Sequence, residues 1–197
     1  MRLVVDWDGT ITVRDSLVQV IHEFGDPTLL AELEPRVGVD LTLHEEIALE
    51  FRAIAAPLDE VVAWVVEHVE VRDGLYELAE HHRPLVISAG FHELIEPVLE
   101  REGVQLDVLA NRVDVTPDGW RVRFRDEAAC ATCGEPCKRA SLSNEPYVYV
   151  GDGYSDRCAA LAADRVFARD TLAGHLDGLG IIYEPFGDLH DIAVALG

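Results

Sequence analysis

Three short segments are apolar at nearly every position and rich in β-branched residues: LVVDWDG at 3–9, PLVISAG at 84–90 and YVYVGDG at 147–153. Continuous apolar runs of this length predict strands buried on both faces, as in a parallel sheet. RVFARD at 165–170 reads as a fourth. Helical spacing fills the intervals. Leu17, Val20, Ile21 and Phe24 recur at i, i+3, i+4 and i+7, with Ser16 and Gln19 as a capping box and Gly25 as a stop. Leu58, Val61, Val62, Val65, Val66 and Val69 keep one helical face, and 74–82, 92–101, 155–163 and 186–196 also read as helices. Alternating strands and helices predict a doubly wound, Rossmann-like α/β sheet.

Two intervals depart from that alternation. About 70 residues separate the first two strands, too many for one crossover helix. They predict a helical cap at 15–72 inserted into an α/β core domain of 1–14 and 73–197. The segment 112–126 alternates Val113 and Val115, then Trp120, Val122 and Phe124, around Pro117-Asp118-Gly119. That pattern is a β-hairpin.

Composition narrows the function. The 197 residues carry a net charge of −21, which disfavours nucleic acid and anionic membranes as partners. No apolar run reaches the roughly 18 residues of a membrane span, and no leader pattern precedes the first strand, so a cytoplasmic protein is expected. Any anion bound against such a field needs strong local cations. Among 16 basic residues there is a single lysine, Lys138. Cys130, Cys133 and Cys137 lie just before it, spaced C-x₂-C-x₃-C. Three thiolates with a fourth ligand, such as a histidine, can hold a structural Zn²⁺; the alternative is a loop of ordinary thiols.

Ligands of an open α/β sheet bind beyond the carboxyl ends of its strands. The first strand delivers Asp6 and Asp8 there, the second Ser88, Ala89 and Gly90, and the third Asp152 followed by Asp156. Residues i and i+2 of a strand share a face, so Asp6 and Asp8 can reach one ligand while Trp7 packs on the other side. A buried carboxylate cluster is costly without a cation. Hard oxygen donors of this kind suit Mg²⁺, which takes one or two carboxylates, waters and a substrate phosphate.

DWDGT, ISAG, Lys138 and GDGYSD, in this order, resemble the haloacid dehalogenase superfamily, in its phosphoserine-phosphatase-like branch with a cap after the first motif. The GDGYSD–RCAALAAD–VFARD stretch and the cysteines beside the lysine look most similar to the 2-hydroxy-3-keto-5-methylthiopentenyl-1-phosphate phosphatases of methionine salvage. The resemblance implies hydrolysis of a small-molecule phosphomonoester. Asp6 would be the nucleophile forming an aspartyl-phosphate, and Asp8 the general acid and base. Asp6, Asp8 through its carbonyl, and Asp152 would hold Mg²⁺, with Asp156 an outer ligand or an orienter. Ser88, Ala89, Gly90 and Ser155 would contact phosphate, Lys138 would hold it and keep Asp6 ionised, and Arg52 in the cap would grip an anionic end of the substrate. A carboxylate about 4 Å from one phosphate charge is repelled by about 4 kcal/mol at an effective dielectric of 20, so attack by Asp6 requires these cations. Alternatives are a phosphoserine phosphatase, a phosphotransferase of the same fold, a phospho-accepting receiver, or a non-catalytic regulatory relative.

Overall fold

The computed structural model describes residues 1–143 and 145–197. Its strands are β1 (Arg2–Val5), β2 (Leu85–Phe91), β3 (Asp107–Thr116), β4 (Gly119–Arg123), β5 (Tyr147–Gly151), β6 (Arg165–Ala168) and β7 (Glu184–Pro185). They form one sheet in the order β4-β3-β2-β1-β5-β6-β7. Every pair is parallel except β3 with β4. The chain order reverses between β1 and β5, and β1 runs beside β5 in the register Val5 to Val150. Both strands therefore end at the crevice where ligands of open sheets bind.

The continuous apolar runs follow from burial on both faces. Leu3 and Val5 pack into one cluster of buried side chains, while Val4 packs into another with Ile87, Tyr149 and Val166. The helices are α1 (Ser16–Phe24), α2 (Pro27–Leu33), α3 (Leu43–Arg52), α4 (Leu58–His68), α5 (Leu75–His82), α6 (His92–Arg101), α7 (Arg157–Ala160), α8 (Asp170–Leu179) and α9 (Leu189–Leu196). The expected helices at 155–163 and 186–196 are shorter, because 154–156 is a 3₁₀ turn and 186–188 leads into the Asp188 cap.

Helices α1–α4 occupy the segment expected as the cap, and α5 follows it before β2. The ends of that segment are pinned side by side: Thr12 bridges Val71, the Val13 N–H donates to the Glu70 carbonyl at 2.9 Å, and the Arg72 N–H donates to Ile11 at 2.9 Å. Val20, Ile21, Phe51, Val61 and Val65 of these helices join the same buried cluster as Leu3 and Val5. These helices thus share buried packing with the sheet.

The hairpin is present, but its first strand begins at Asp107 and pairs with β2 before turning out toward β4. It is a buttress for α3. Trp120 is buried, stands 6.2 Å from Phe51, and donates its indole N–H to the Ala56 carbonyl at 2.9 Å. The approach is so close that a Cβ on Gly119 would lie 1.9 Å from the Arg52 carbonyl oxygen.

Candidate active site

The first motif folds as a strand end and a tight turn. β1 stops at Val5, and Asp6 and Asp8 follow in extended backbone, with φ/ψ of −69/160 and −71/126. Both carboxylates line one cavity of about 560 Å³, while Trp7 is buried in the core. Gly9 then reverses the chain at φ +72, where a Cβ would lie 2.3 Å from an Asp152 oxygen. No other residue fits that turn without displacing the third motif. Thr12 closes it, its hydroxyl accepting from the Gly9 N–H at 3.0 Å and its N–H donating to Trp7 at 3.0 Å.

Lys138 is buried between two carboxylates. Its Nζ stands 2.5 Å from Asp6 Oδ1 and 2.7 Å from Asp156 Oδ1. Burial opposes its charge, but Asp156 and Asp6 outweigh that, and its pKa is raised. Asp156 is fully engaged. Oδ1 accepts from Lys138 and from the Tyr149 hydroxyl at 2.7 Å, and Oδ2 accepts from the N–H groups of Asp152 and Gly153 at 2.9 Å. Burial raises its pKa, yet Lys138 and these donors carry it below the usual carboxylate range. Both Asp156 oxygens are thus engaged within the protein, Oδ1 by two side chains and Oδ2 by two backbone N–H groups.

The remaining carboxylates are crowded. Burial and the charge of Asp156 push Asp6 well up, against the pull of Lys138. The same two causes raise Asp152 to about 7, although the Thr10 hydroxyl donates to it at 2.7 Å. Asp8 is also raised by burial, despite two donors from Ser16. The Ser16 N–H reaches Asp8 Oδ1 at 2.9 Å, its hydroxyl donates to the same oxygen, and the Ser88 hydroxyl donates to Oδ2 at 3.3 Å.

This donor set fits a divalent cation. One oxygen from each of Asp6, Asp152 and Asp156 lies within 4.8 Å of the others. Among the described residues, Lys138 is the cation in direct contact with this cluster, so one ammonium serves three crowded carboxylates. All the donors are hard oxygens, as Mg²⁺ prefers. With Asp156 spent on Lys138, Asp6 and Asp152 are the carboxylates free to hold the ion.

The second motif is held by residues the sequence did not single out. Ser88 is buried, and its hydroxyl accepts from the Gly90 N–H at 2.8 Å. Asn111 donates to the Ala89 carbonyl at 2.7 Å and accepts from the Arg125 N–H at 2.9 Å. The Arg125 guanidinium reaches the Ser88 carbonyl at 2.9 Å and the Ser141 hydroxyl at 2.9 Å. The hairpin thus returns a cation to the carbonyl behind the second motif. On the other side, Arg72 donates to the carbonyls of Thr10 and Gly9 at 3.0 Å each and of Val13 at 3.1 Å, clamping the first turn. Asn111 in a strand of poor propensity for it was a readable signal; the two arginines gave none.

Ala89 and Ser155 line the cavity, and Gly90 lies behind them against Ser88. Arg52 does not reach it. The side chain is exposed at the end of α3, where its backbone is pressed on the hairpin. The Ser16–Gln19 capping box also gives way: Asp15 caps α1 by accepting from the Val18 N–H at 2.9 Å, which frees Ser16 for Asp8. His92 pairs with Glu96 at 2.8 Å and accepts from the Ala110 N–H, a packing role at the start of α6.

The far wall of the cavity is acidic and apolar: Glu34, Glu46 and Glu50 among Leu17, Ile21 and Leu30. Glu50 is 5% exposed, and its Oε1 has no hydrogen-bond partner among the described residues. Burial, then Glu46, Asp15 and Glu34, raise its pKa to about 8. Its unfolded counterpart ionises near 4.5, so the native state keeps a proton that the unfolded chain releases. The stability this group contributes is full below that value and is lost as pH rises toward 8. Glu50→Gln is therefore expected to flatten the decline of Tm between pH 5 and 8.5 relative to the unmodified protein. Parallel thermal melts across that range check it, and superimposable slopes would refute it.

The fourth ligand expected beside the clustered cysteines also differs. The fourth sulfur beside Cys130, Cys133 and Cys137 belongs to Cys158 of α7, with no histidine in the group.

Comparison with known proteins agrees with this geometry. The model of the haloacid dehalogenase-like hydrolases matches residues 3–161. The chain is 27% identical to a 2-hydroxy-3-keto-5-methylthiopentenyl-1-phosphate phosphatase of Bacillus thuringiensis, over all of this chain and 95% of that one. The counterpart of Bacillus mycoides is also 27% identical, with the same coverage. Among solved structures, a substrate-bound phosphoserine phosphatase superposes with a TM-score of 0.71 at 17% identity, covering 97% of this chain and 96% of that one. A phosphoserine phosphatase from T. onnurineus does so with 0.69 at 19% identity, covering 99% and 93%. The motifs in order, their meeting at the sheet crevice and the family match over most of the chain agree: this protein belongs to the haloacid dehalogenase-like hydrolases and is a phosphatase.

Proposed function

We propose that the protein hydrolyses a small, otherwise uncharged phosphomonoester through a phosphorylated Asp6, with Mg²⁺ bound by Asp6, Asp152 and the Asp8 carbonyl. The supporting observation is the juxtaposition of Asp6, Asp8, Ser88 and Lys138 around one cavity. The contacts of Asp6 with Lys138 and the Trp7 N–H both use Oδ1, so Oδ2 is the oxygen available for attack. It forms a bond to phosphorus while the ester P–O bond breaks, and the proton on Asp8 passes to the leaving oxygen. Asp8, now a carboxylate, takes a proton from water. The water oxygen attacks phosphorus, the P–O bond to Asp6 breaks, and both aspartates return to their starting forms. Lys138 balances charge on the phosphoryl oxygens. The metal, when bound, supplies further positive charge at the phosphate.

The cavity wall favours a substrate without a carboxylate. Glu34, Glu46 and Glu50 face the space where the leaving group must lie, and Arg52 is turned away. A carboxylate such as that of phosphoserine would meet these acidic groups, whereas a hydroxy-keto chain ending in a thioether carries no further charge and can lie along Leu17, Ile21 and Leu30. This supports a methionine-salvage ester over phosphoserine.

A phosphate-release assay tests both parts. Release is expected only with Mg²⁺ present, tested by omission, with no chelator. The kcat/KM for the hydroxy-keto thioether ester should exceed that for phosphoserine by at least about 10-fold, since Glu34, Glu46 and Glu50 crowd the space that the phosphoserine carboxylate would enter. Equal or better use of phosphoserine would overturn the substrate assignment, and full activity without a divalent cation would overturn the metal's role.

A further inference from the structure

We propose that Cys130, Cys133, Cys137 and Cys158 bind one structural zinc ion as four thiolates, at a site separate from the phosphatase cavity and independent of the reading given above for it.

Geometry is the first support. The four sulfurs lie within 4.8 Å of one another, and Cys130 Sγ is 3.9 Å from Cys158 Sγ. Tetrahedral zinc with Zn–S bonds of about 2.3 Å has S···S edges of about 3.8 Å. A disulfide needs about 2.05 Å, and all four cysteines are free thiols. Ordinary burial does not explain the gathering either, because Cys133 is exposed and Cys137 and Cys158 are only half-buried.

The local backbone is the second. The chain wraps round Cys130: its N–H donates to the Glu135 carbonyl at 2.9 Å, and its carbonyl accepts from the Gly134 N–H at 2.8 Å. The Thr132 N–H points at Cys130 Sγ from 3.5 Å. Gly134 sits at φ +79, which permits the chain to turn back after Cys133. The turn therefore offers an amide donor to a sulfur, the arrangement that stabilises a thiolate ligand.

The third is connectivity. The three loop cysteines lie in a stretch without helix or strand between β4 and the turn at Lys138–Ser141, whereas Cys158 lies in α7 beyond β5. Residues this far apart along the chain converge in a segment with little regular structure to hold it. Cys137 directly precedes Lys138, and Cys158 follows Asp156 by two residues. An ion at the cluster joins the loop that ends at Lys138 to the helix that follows Asp156. Tetrahedral all-sulfur sites also accept iron; with redox-inert zinc the site serves as a staple.

Elemental analysis of the protein purified in reducing buffer, without added metal or chelator, is expected to find about one zinc per chain. Mercurial modification of the thiols should release it to a chromogenic chelator. Cys158→Ser should lower the retained zinc at least about 10-fold, in line with loss of one ligand, and should lower Tm. If that variant does not fold, the cobalt-substituted wild-type protein decides: intense visible bands of tetrahedral thiolate coordination support the site. Four freely titrating thiols in a metal-free protein that takes up no zinc, a Cys130–Cys158 disulfide by mass spectrometry, iron in place of zinc, or full zinc retention by Cys158→Ser would each overturn the proposal.

Discussion

Asp6→Asn is expected to lower kcat by on the order of 10⁴-fold or more, the scale seen when a nucleophile acting as part of a unit is removed. The amide cannot become the acyl-phosphate donor that the second half-reaction requires, and Asp8 has no second nucleophile to assist. Stability should move the other way or not at all. Asp6 is buried at 3% exposure, and Asp156, Asp152 and Asp8 all oppose its charge. Lys138 keeps its 2.7 Å partner Asp156 in the variant. A folded protein with unchanged or higher Tm and no turnover is the anticipated outcome, checked by phosphate release and thermal melting on the same preparation. Turnover near that of the unmodified protein would remove Asp6 from the role of nucleophile.

Lys138→Met should produce the largest loss of stability of any single substitution at the site. Lys138 is the side-chain cation paired with both Asp6 and Asp156, which are 5% and 0% exposed at their side chains. Removing one member of a buried ionic group typically costs about 3–5 kcal/mol, because the other charges stay buried without compensation. For a chain of this size that corresponds to a fall in Tm of roughly 6–20 °C. Lys138→Arg should recover little, since a planar fork does not occupy the place of a compact ammonium. Adding Asp156→Asn to Lys138→Met should restore part of the loss, and the double-mutant cycle should give a coupling of about 1 kcal/mol or more. Additive effects, or a Tm unmoved by Lys138→Met, would show that the pair is not coupled.

The sequence reveals those parts of the molecule that are written locally. A strand buried on both faces has to be apolar at each position, so β1, β2 and β5 are legible, and so are the aspartates and the serine at their ends. The lysine stands out because the chain has no other. Residues whose work is to bond a distant backbone carbonyl leave no such trace. Arg72 and Arg125 are two of many arginines until the fold sets them against Gly9, Thr10 and Ser88. Ser16 at the start of a helix reads as a cap, and only tertiary packing shows that Asp15 caps while Ser16 holds Asp8. Arg52 misleads for the same reason: its helix is placed by the hairpin, through Trp120 and Gly119, and its side chain ends exposed, outside the lining of the cavity. Cys158, separated from the other cysteines by a whole strand, belongs to their cluster only in three dimensions.

The hold of Ser16 on Asp8 has a structural consequence. Ser16 is the first residue of α1, and α1 is the first of the helices covering the chamber. Any displacement of that helix would carry both Ser16 donors away from the Asp8 carboxylate at once. Under the mechanism proposed above, the placement of the acid is thus tied to the seating of the first helix over the chamber, two features that nothing in the linear chain connects.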